Sequence, residues 1–248
     1  MLDHFQLFYN YIIYMSEFIF FHIPKCGGSS LRYILYEYFK KIYKENVIFI
    51  PEKSGDITLN YRPNFIEKIK QNPRFDFPNI KVILSHIYYN DFPDLNKSCK
   101  YKFTCVRNPI KRLISHYYFF KFPKNNIEFI DLNHKDFEAY ALYNNVISNC
   151  LGITDKIEIN EIDKRLKEFN YIAILENIDS DLETLNKYLN DIFGIKYSLT
   201  SKVIHENKSK KDKRKDEEKL CILLKKYCTL DELVYNRIIT LKNNNIIK

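Results

Sequence analysis

The sequence predicts an α/β protein: a central parallel sheet flanked by helices, in a single domain over residues 1–248 with its core at about 17–240. Three observations predict it. Short apolar runs alternate with longer amphipathic stretches, the pattern of strands joined by crossover helices. No internal repeat and no Pro/Gly/Ser-rich linker divides the 248 residues, a length suited to one sizeable domain. The composition is 46% hydrophobic, 28% charged and 16% aromatic, with only five glycines and eight prolines. That balance is globular and excludes collagen-like, low-complexity and disordered chains.

The candidate strands are Phe18–His22, Val47–Ile50, Lys81–Ser85, Lys102–Val106 and Tyr171–Leu175. Each is short and rich in Ile, Val or Phe, and each runs into polar or turn-forming residues, as fully buried strands do. The candidate helices are Ser29–Tyr43, Pro109–Phe120, Asp136–Asn149, Ile159–Glu168, Ile178–Phe193 and Glu217–Lys226. In Ile178–Phe193, Leu182, Leu185, Leu189 and Ile192 recur at helical spacing and define one apolar face. Ser54–Pro78, with three prolines and scattered charge, reads as a surface loop. Lys208–Lys219 is a mixed charge run without an apolar face, which reads first as a solvated loop.

Thirty-nine basic and thirty-one acidic residues leave a net charge of +8. This surplus suits an anionic partner without choosing among nucleic acid, a phosphorylated nucleotide and an acidic polysaccharide. The six cysteines (Cys26, Cys99, Cys105, Cys150, Cys221, Cys228) form no CxxC pair and no zinc-type spacing. They are expected to be reduced and mostly buried, and no metal is implied. No apolar run is long enough for a membrane helix. The nearest, Phe5–Ile23, is broken by Gln6, Asn10, Ser16, Glu17 and His22, and it lacks the features of a signal peptide. The expected location is cytoplasmic.

The most informative stretch is Glu17–Leu31, EFIFFHIPKCGGSSL. An apolar strand meets a Pro-Lys turn, then Gly27-Gly28, then two serines that open an amphipathic helix. Such a turn presents backbone N–H groups at a helix N-terminus, where the dipole also favours an anion. Glycines let phosphate oxygens approach the backbone closely, Ser29 and Ser30 add hydroxyl donors, and Lys25 adds a positive charge. This is not a Walker A loop, whose lysine follows the last glycine; Lys25 precedes both. Taken alone, the turn is equally well read as a βα connection with serine caps and no ligand.

A second element favours the phosphate cradle. Tyr101–Tyr118 reads YKFTCVRNPIKRLISHYY: a strand, Arg107, the helix start Asn108-Pro109, then a helix. Asn108 suits the N-cap and Pro109 the first helical position. Arg107 then sits at the carboxyl end of its strand, where ligands of open α/β sheets bind. Ser115, about two turns into the helix, faces the side of Arg112. An arginine at the strand end and a serine on the adjoining helix can grip a second phosphate. In isolation each has a plainer reading, as a surface ion pair and a buried helix hydroxyl.

With both elements in place, the chain resembles the sulfotransferases that use 3′-phosphoadenosine 5′-phosphosulfate (PAPS). The branch it is most similar to is the carbohydrate O-sulfotransferases, heparan sulfate 2-O-sulfotransferase among them. HIPKCGGSS at His22–Ser30 resembles that family's HIPKTGGTS-type loop for the 5′-phosphosulfate. RNPIKRLISHYY at Arg107–Tyr118 resembles its RxPxxRxxSxYY-type segment for the 3′-phosphate. Cys26 stands where threonine is usual, and Ser29 is a conservative replacement; the first predicts weakened rather than abolished nucleotide binding. SHIYYNDF at Ser85–Phe92 resembles the GHxxxxDF-type segment, with Ser85 in place of glycine. Ile172–Leu189 resembles the strand and helix beyond the 3′-phosphate site, His205–Lys208 a basic segment over the nucleotide, and Asp231–Tyr235 the terminal helix.

The resemblance implies a P-loop-like sulfotransferase fold and an enzyme that moves a sulfuryl group from PAPS to an acceptor hydroxyl on a carbohydrate. The nucleotide product is adenosine 3′,5′-bisphosphate (PAP), and no metal takes part. It implies His86 as general base and Lys25 as the cation that neutralises charge on the departing bridging oxygen. Nucleotide contacts fall to Lys25, Cys26, Gly27, Gly28, Ser29, Ser30, Arg107, Ser115 and Lys208. Apart from the resemblance, His86 reads as a hydrogen-bonded histidine at a strand end. His22 and His116 read as structural, and His205 is undecided. The expected partner is a hydroxyl acceptor, with an acidic glycan among the candidates, and nucleic acid is not expected. The motifs do not name the acceptor or the oligomeric state.

Three other readings compete. A basic nucleic-acid-binding protein would use the charge and the 20 tyrosines, but no RNP, KH or zinc-finger pattern is present. A protein of the same fold could keep the nucleotide pocket without catalysis. A kinase-like transferase is disfavoured by the missing Walker A lysine and magnesium ligands.

Overall fold

The computed structural model describes residues 16–44, 48–49, 80–91, 97–121, 145–154, 157–199, 222 and 225–248. Ser54–Pro78, Phe122–Lys135, the charge run Lys208–Lys219 and most of the helix expected over Glu217–Lys226 lie outside them.

The described residues form a five-stranded, all-parallel sheet. Its strands are β1 (Phe18–Phe21), β2 (Ile48–Phe49), β3 (Val82–Ser85), β4 (Tyr101–Val106) and β5 (Tyr171–Ile174), in spatial order β2-β3-β1-β4-β5. The helices are α1 (Gly28–Phe39), α2 (Pro109–Lys121), α3 (Val146–Cys150), α4 (Ile159–Lys167), α5 (Ile178–Phe193) and α6 (Thr229–Asn243). All five expected strands are present, within a residue or so at each end.

Both faces of the sheet are covered, so strands that are apolar at every position are what the fold requires. Phe18 and Phe20 of β1 join Phe103, Tyr171 and Ala173 in a core with Leu31, Leu35 and Phe39 of α1 and Leu182, Leu185 and Leu189 of α5. Ile19 and Phe21 point the other way, into a second core built with α3, α4 and α6. The alternation along FIFF follows from the two-residue period of a strand.

The strand order fixes where a ligand can bind. After β1 the chain moves through α1 towards β2, on one side of β1; after β4 it moves to β5, on the other side. The carboxyl ends of the neighbours β1 and β4 therefore flank a topological switch point, the crevice that open α/β sheets use for ligands. The loops beginning at His22 and at Arg107 leave the sheet there.

Helix ends differ from the expectation where capping decides them. The first helix starts at Gly28 and ends at Phe39 rather than Tyr43, and the next turn is closed by i→i−3 bonds such as Ile42 N to Phe39 O at 3.0 Å. Of the helix expected over Asp136–Asn149, residues 136–144 lie outside the described residues; from Asn145 on, the left-handed backbone (φ 51°) makes Asn145 the N-cap of α3. The terminal helix extends well beyond Asp231–Tyr235. It closes on Asn245 at φ 56°, with Ile246 N bonding Leu241 O and Asn245 N bonding Lys242 O, both at 2.9 Å. That is a Schellman ending with asparagine in the left-handed position.

The starts of α3 and α6 cap each other. Asn145 Oδ1 accepts from Leu230 N at 3.2 Å and Asp231 N at 3.3 Å. In return, Asp231 accepts from Ile147 N at 3.1 Å, Ser148 N at 2.8 Å and Ser148 Oγ at 2.7 Å. First-turn amides that a helix cannot pair internally are thus satisfied from the opposite helix. The outer edge of β5 is closed in a similar way. Ile172 N donates to Lys248 O at 2.9 Å, Lys242 Nζ to Ile172 O at 2.7 Å, and Ile174 N to Asp181 Oδ2 at 2.5 Å. A strand edge paired in this manner offers no template for a second chain.

Candidate active site at the β1–β4 crevice

The loop after β1 is curled by two left-handed residues, Lys25 at φ 66° and Gly27 at φ 75°. Glycine adopts this conformation freely, whereas lysine there costs on the order of 1 kcal/mol. A strained non-glycine residue is a pointer to function when its surroundings hold it in place. Here Arg107 does so, donating from Nη1 to the Lys25 carbonyl at 3.3 Å. The two motifs, 82 residues apart in sequence, therefore meet directly.

Gly27 is the N-cap of α1 and carries no side chain that could satisfy the first-turn amides of Gly28, Ser29 and Ser30. Those N–H groups open the helix at the switch point, where an anion can take them. Ser29 is exposed and Ser30 is buried. Cys26 faces the other way. Its side chain lies in the core, its N–H donates to Ile23 O at 3.3 Å, and burial pushes its thiol up to about 12. A threonine hydroxyl replaced by this thiol thus leaves the exposed part of the loop intact. The described cysteines, Cys26, Cys99, Cys105, Cys150 and Cys228, are all buried free thiols.

Asn108 caps α2 as expected, its Oδ1 accepting from Lys111 N at 3.1 Å. A capping box would return a bond from the third helical residue to the Asn108 amide, but Lys111 has no acceptor to offer. Glu176, just after β5, supplies it: both carboxylate oxygens lie 3.2 Å from Asn108 N. The same carboxylate accepts from Tyr235 Oη at 3.1 Å, so one side chain ties the Arg107 loop to β5 and α6. The sequence reading did not single out Glu176. The only signal for it was the basic residue at the third position of α2, which requires an acceptor from elsewhere. Ser115 is half-buried on α2, and Arg112 is fully buried beneath the loop.

His86 follows β3 as His22 follows β1. Phe21 pairs in register with Ser85, and His22 N donates to Ser85 O at 2.9 Å. The next residues are consequently neighbours: the two imidazoles stack with centroids 3.7 Å apart and planes 23° from parallel. Ser85 is an ordinary buried strand residue here, so the missing glycine does not disturb the backbone. His86 Nδ1 lies 2.7 Å from the His22 carbonyl oxygen. A carbonyl only accepts, so Nδ1 carries the hydrogen, and the lone pair of the neutral ring resides on Nε2. The ring is half-buried. Lys208 and His205 lie outside the described residues.

The buried histidines His22 and His116 are held neutral. For His22, burial acts first, followed by the charges of His86, Arg32 and Lys25; its pKa falls well below the ordinary 6.5. For His116, burial and then Arg112 and Lys25 bring it down to about 3. Unfolded chains bind protons at these residues below about pH 6.5 while the folded protein does not, so stability falls as the solution is acidified. The slope is about 1.4 kcal/mol per pH unit for each histidine. Between pH 7 and 5 the melting temperature is expected to drop steeply, and His116→Gln should remove roughly half of that slope. An unchanged slope in the variant would contradict the buried neutral state.

These features define a parallel α/β protein in which the Lys25–Ser30 loop, Arg107 and the stacked His22–His86 pair meet at the carboxyl ends of the central strands. The chain belongs to the sulfotransferase family: the model described as "Sulfotransferase family" matches residues 14–238. A search of curated proteins found no match. Among the described residues, no helix is long and apolar enough to cross a membrane, and no group of three His, Cys, Asp or Glu side chains is arranged to hold a metal.

Proposed function

We propose that the protein transfers a sulfuryl group from PAPS to a hydroxyl of a carbohydrate acceptor. The observation that carries this reading is the Arg107–Lys25 contact, 3.3 Å from Nη1 to the carbonyl oxygen. It brings the two phosphate motifs into direct contact, which supports a single ligand that carries phosphate at both its 3′ and 5′ positions. The donor supplies an activated sulfur–oxygen bond. The amides of Gly28, Ser29 and Ser30, with the Ser29 and Ser30 hydroxyls, would hold the 5′ end, and Arg107 and Ser115 the 3′-phosphate.

In the transfer, the acceptor oxygen bonds to sulfur while the bond from sulfur to the bridging oxygen breaks. His86 Nε2 would take the acceptor proton as that bond forms. Lys25 would stabilise the negative charge left on the bridging oxygen, electrostatic assistance aimed at charge that develops in the transition state. The surplus of basic residues favours an acidic glycan as acceptor. The resemblance to the 2-O branch rests on His86 and its flanking segment.

Nucleotide preference tests the reading. PAP is expected to raise the melting temperature without magnesium, while ATP does much less. Arg107→Ala should lose most of the PAP shift and keep the small shift given by 5′-AMP. Equal loss for both nucleotides would remove the 3′-phosphate from Arg107. Labelled donor incubated with a panel of glycans then identifies the acceptor, and turnover of the donor on no glycan would overturn the carbohydrate assignment.

A further inference from the structure

We propose that His22 is a positioning residue for sulfuryl transfer, its ring and carbonyl together fixing His86 relative to the helix start that binds the donor. The inference rests on the reading of His86 as general base. Two contacts reach His86 from this one residue: the 2.7 Å hydrogen bond from Nδ1 to the His22 carbonyl, and the 3.7 Å ring stack. The first selects the tautomer, and the second fixes the plane of the ring, so the direction of the Nε2 lone pair is set by His22.

On its other side, His22 meets the donor loop. A Cβ built on Gly28 would lie 1.9 Å from His22 Cδ2 and 2.5 Å from Nε2. The ring therefore occupies the space that any other residue at the first position of α1 would fill. Gly28 backbone, His22 ring and His86 ring form one continuous packed column from the phosphate cradle to the base. Displacing a base by about 1 Å from its productive position can cost on the order of 100-fold in rate, and this column is what sets that position.

The chemistry of the ring fits a spacer rather than a proton carrier. His22 is only 4% exposed, and its Nδ1 has no hydrogen-bond partner among the described residues. The charged groups that bear on it are His86 from the end of β3, Arg32 from α1 and Lys25 from the loop after β1, and they oppose its protonation. A neutral ring against His86 leaves that residue able to accept the acceptor's proton; a charged one would repel it.

The test combines a spectroscopic and a kinetic measurement. In 15N-labelled wild-type protein near neutral pH, long-range nitrogen–proton correlation, with His86→Asn to assign the signals, is expected to show His86 protonated on Nδ1. A ring protonated on Nε2 instead would overturn the proposal, whether or not any His22 variant folds. His22→Leu, similar in volume but not planar, should lower kcat by about 10- to 100-fold and leave PAP binding unchanged. His22→Phe, which keeps a flat ring, should recover most of the loss. Wild-type kcat in His22→Leu would sink the proposal while leaving His86 as base; wild-type kcat in His86→Asn would sink the underlying reading.

Discussion

Asp231→Ala is expected to destabilise the protein by about 3–5 kcal/mol, the scale of leaving several buried hydrogen-bond donors without an acceptor. The carboxylate is fully buried and accepts from Ile147 N, Ser148 N and Ser148 Oγ. Alanine would leave these three donors without that acceptor in the core, at about 1–3 kcal/mol for each one that water cannot reach. It would also remove a negative charge from the surroundings of Arg112, itself fully buried. Burial lifts the Asp231 carboxyl above the ordinary range, while Arg112 and the three hydrogen bonds pull it down. For a chain of this length the loss corresponds to a fall in melting temperature of roughly 6–20 °C. Asp231→Asn keeps an acceptor oxygen and should fall between the two. A melting temperature within a few degrees of wild type in Asp231→Ala would mean that the mutual capping of α3 and α6 contributes little.

The contrast between Asp231 and the strands marks what a sequence discloses. Phe18–Phe21 and Tyr171–Ile174 are apolar at every position because both faces of their sheet are covered, and that signal is local. So is the Asn108-Pro109 helix start, whose cap bond is made three residues away. The phosphate loop was legible because its glycines and serines are contiguous. Asp231, by contrast, takes its partners from residues 83 and 84 positions earlier, and Glu176 reaches Asn108 across 68. No periodicity announces such pairings, since they depend on which strand lies next to which. The same holds for His22, read from its apolar strand as structural. Only the parallel register of β1 and β3 brings it against His86. The helix start at Asn145 was missed because asparagine tolerates a left-handed backbone that a helical pattern does not reveal.

His86→Ala is expected to reduce turnover by about 10²- to 10⁴-fold, the range for a lost general base, equivalent to about 3–5 kcal/mol of transition-state stabilisation. The melting shift given by PAP should persist, because none of the groups proposed to hold the nucleotide is His86. His86→Asn separates chemistry from architecture. Its amide N–H can still donate to the His22 carbonyl, now 2.7 Å from His86 Nδ1, but it has no basic nitrogen, so the variant should fold like wild type and remain as slow as alanine. Imidazole added to His86→Ala should restore part of the activity, since the half-buried position leaves a solvent-reachable gap beside the His22 ring. The acid limb of the kcat/KM profile, which reports protonation of the free base, should disappear in both variants. Wild-type turnover in His86→Asn would place the base on another residue. A rate loss accompanied by an equal loss of PAP binding would make His86 part of the donor site instead, and the stacked pair would then serve to shape the cradle.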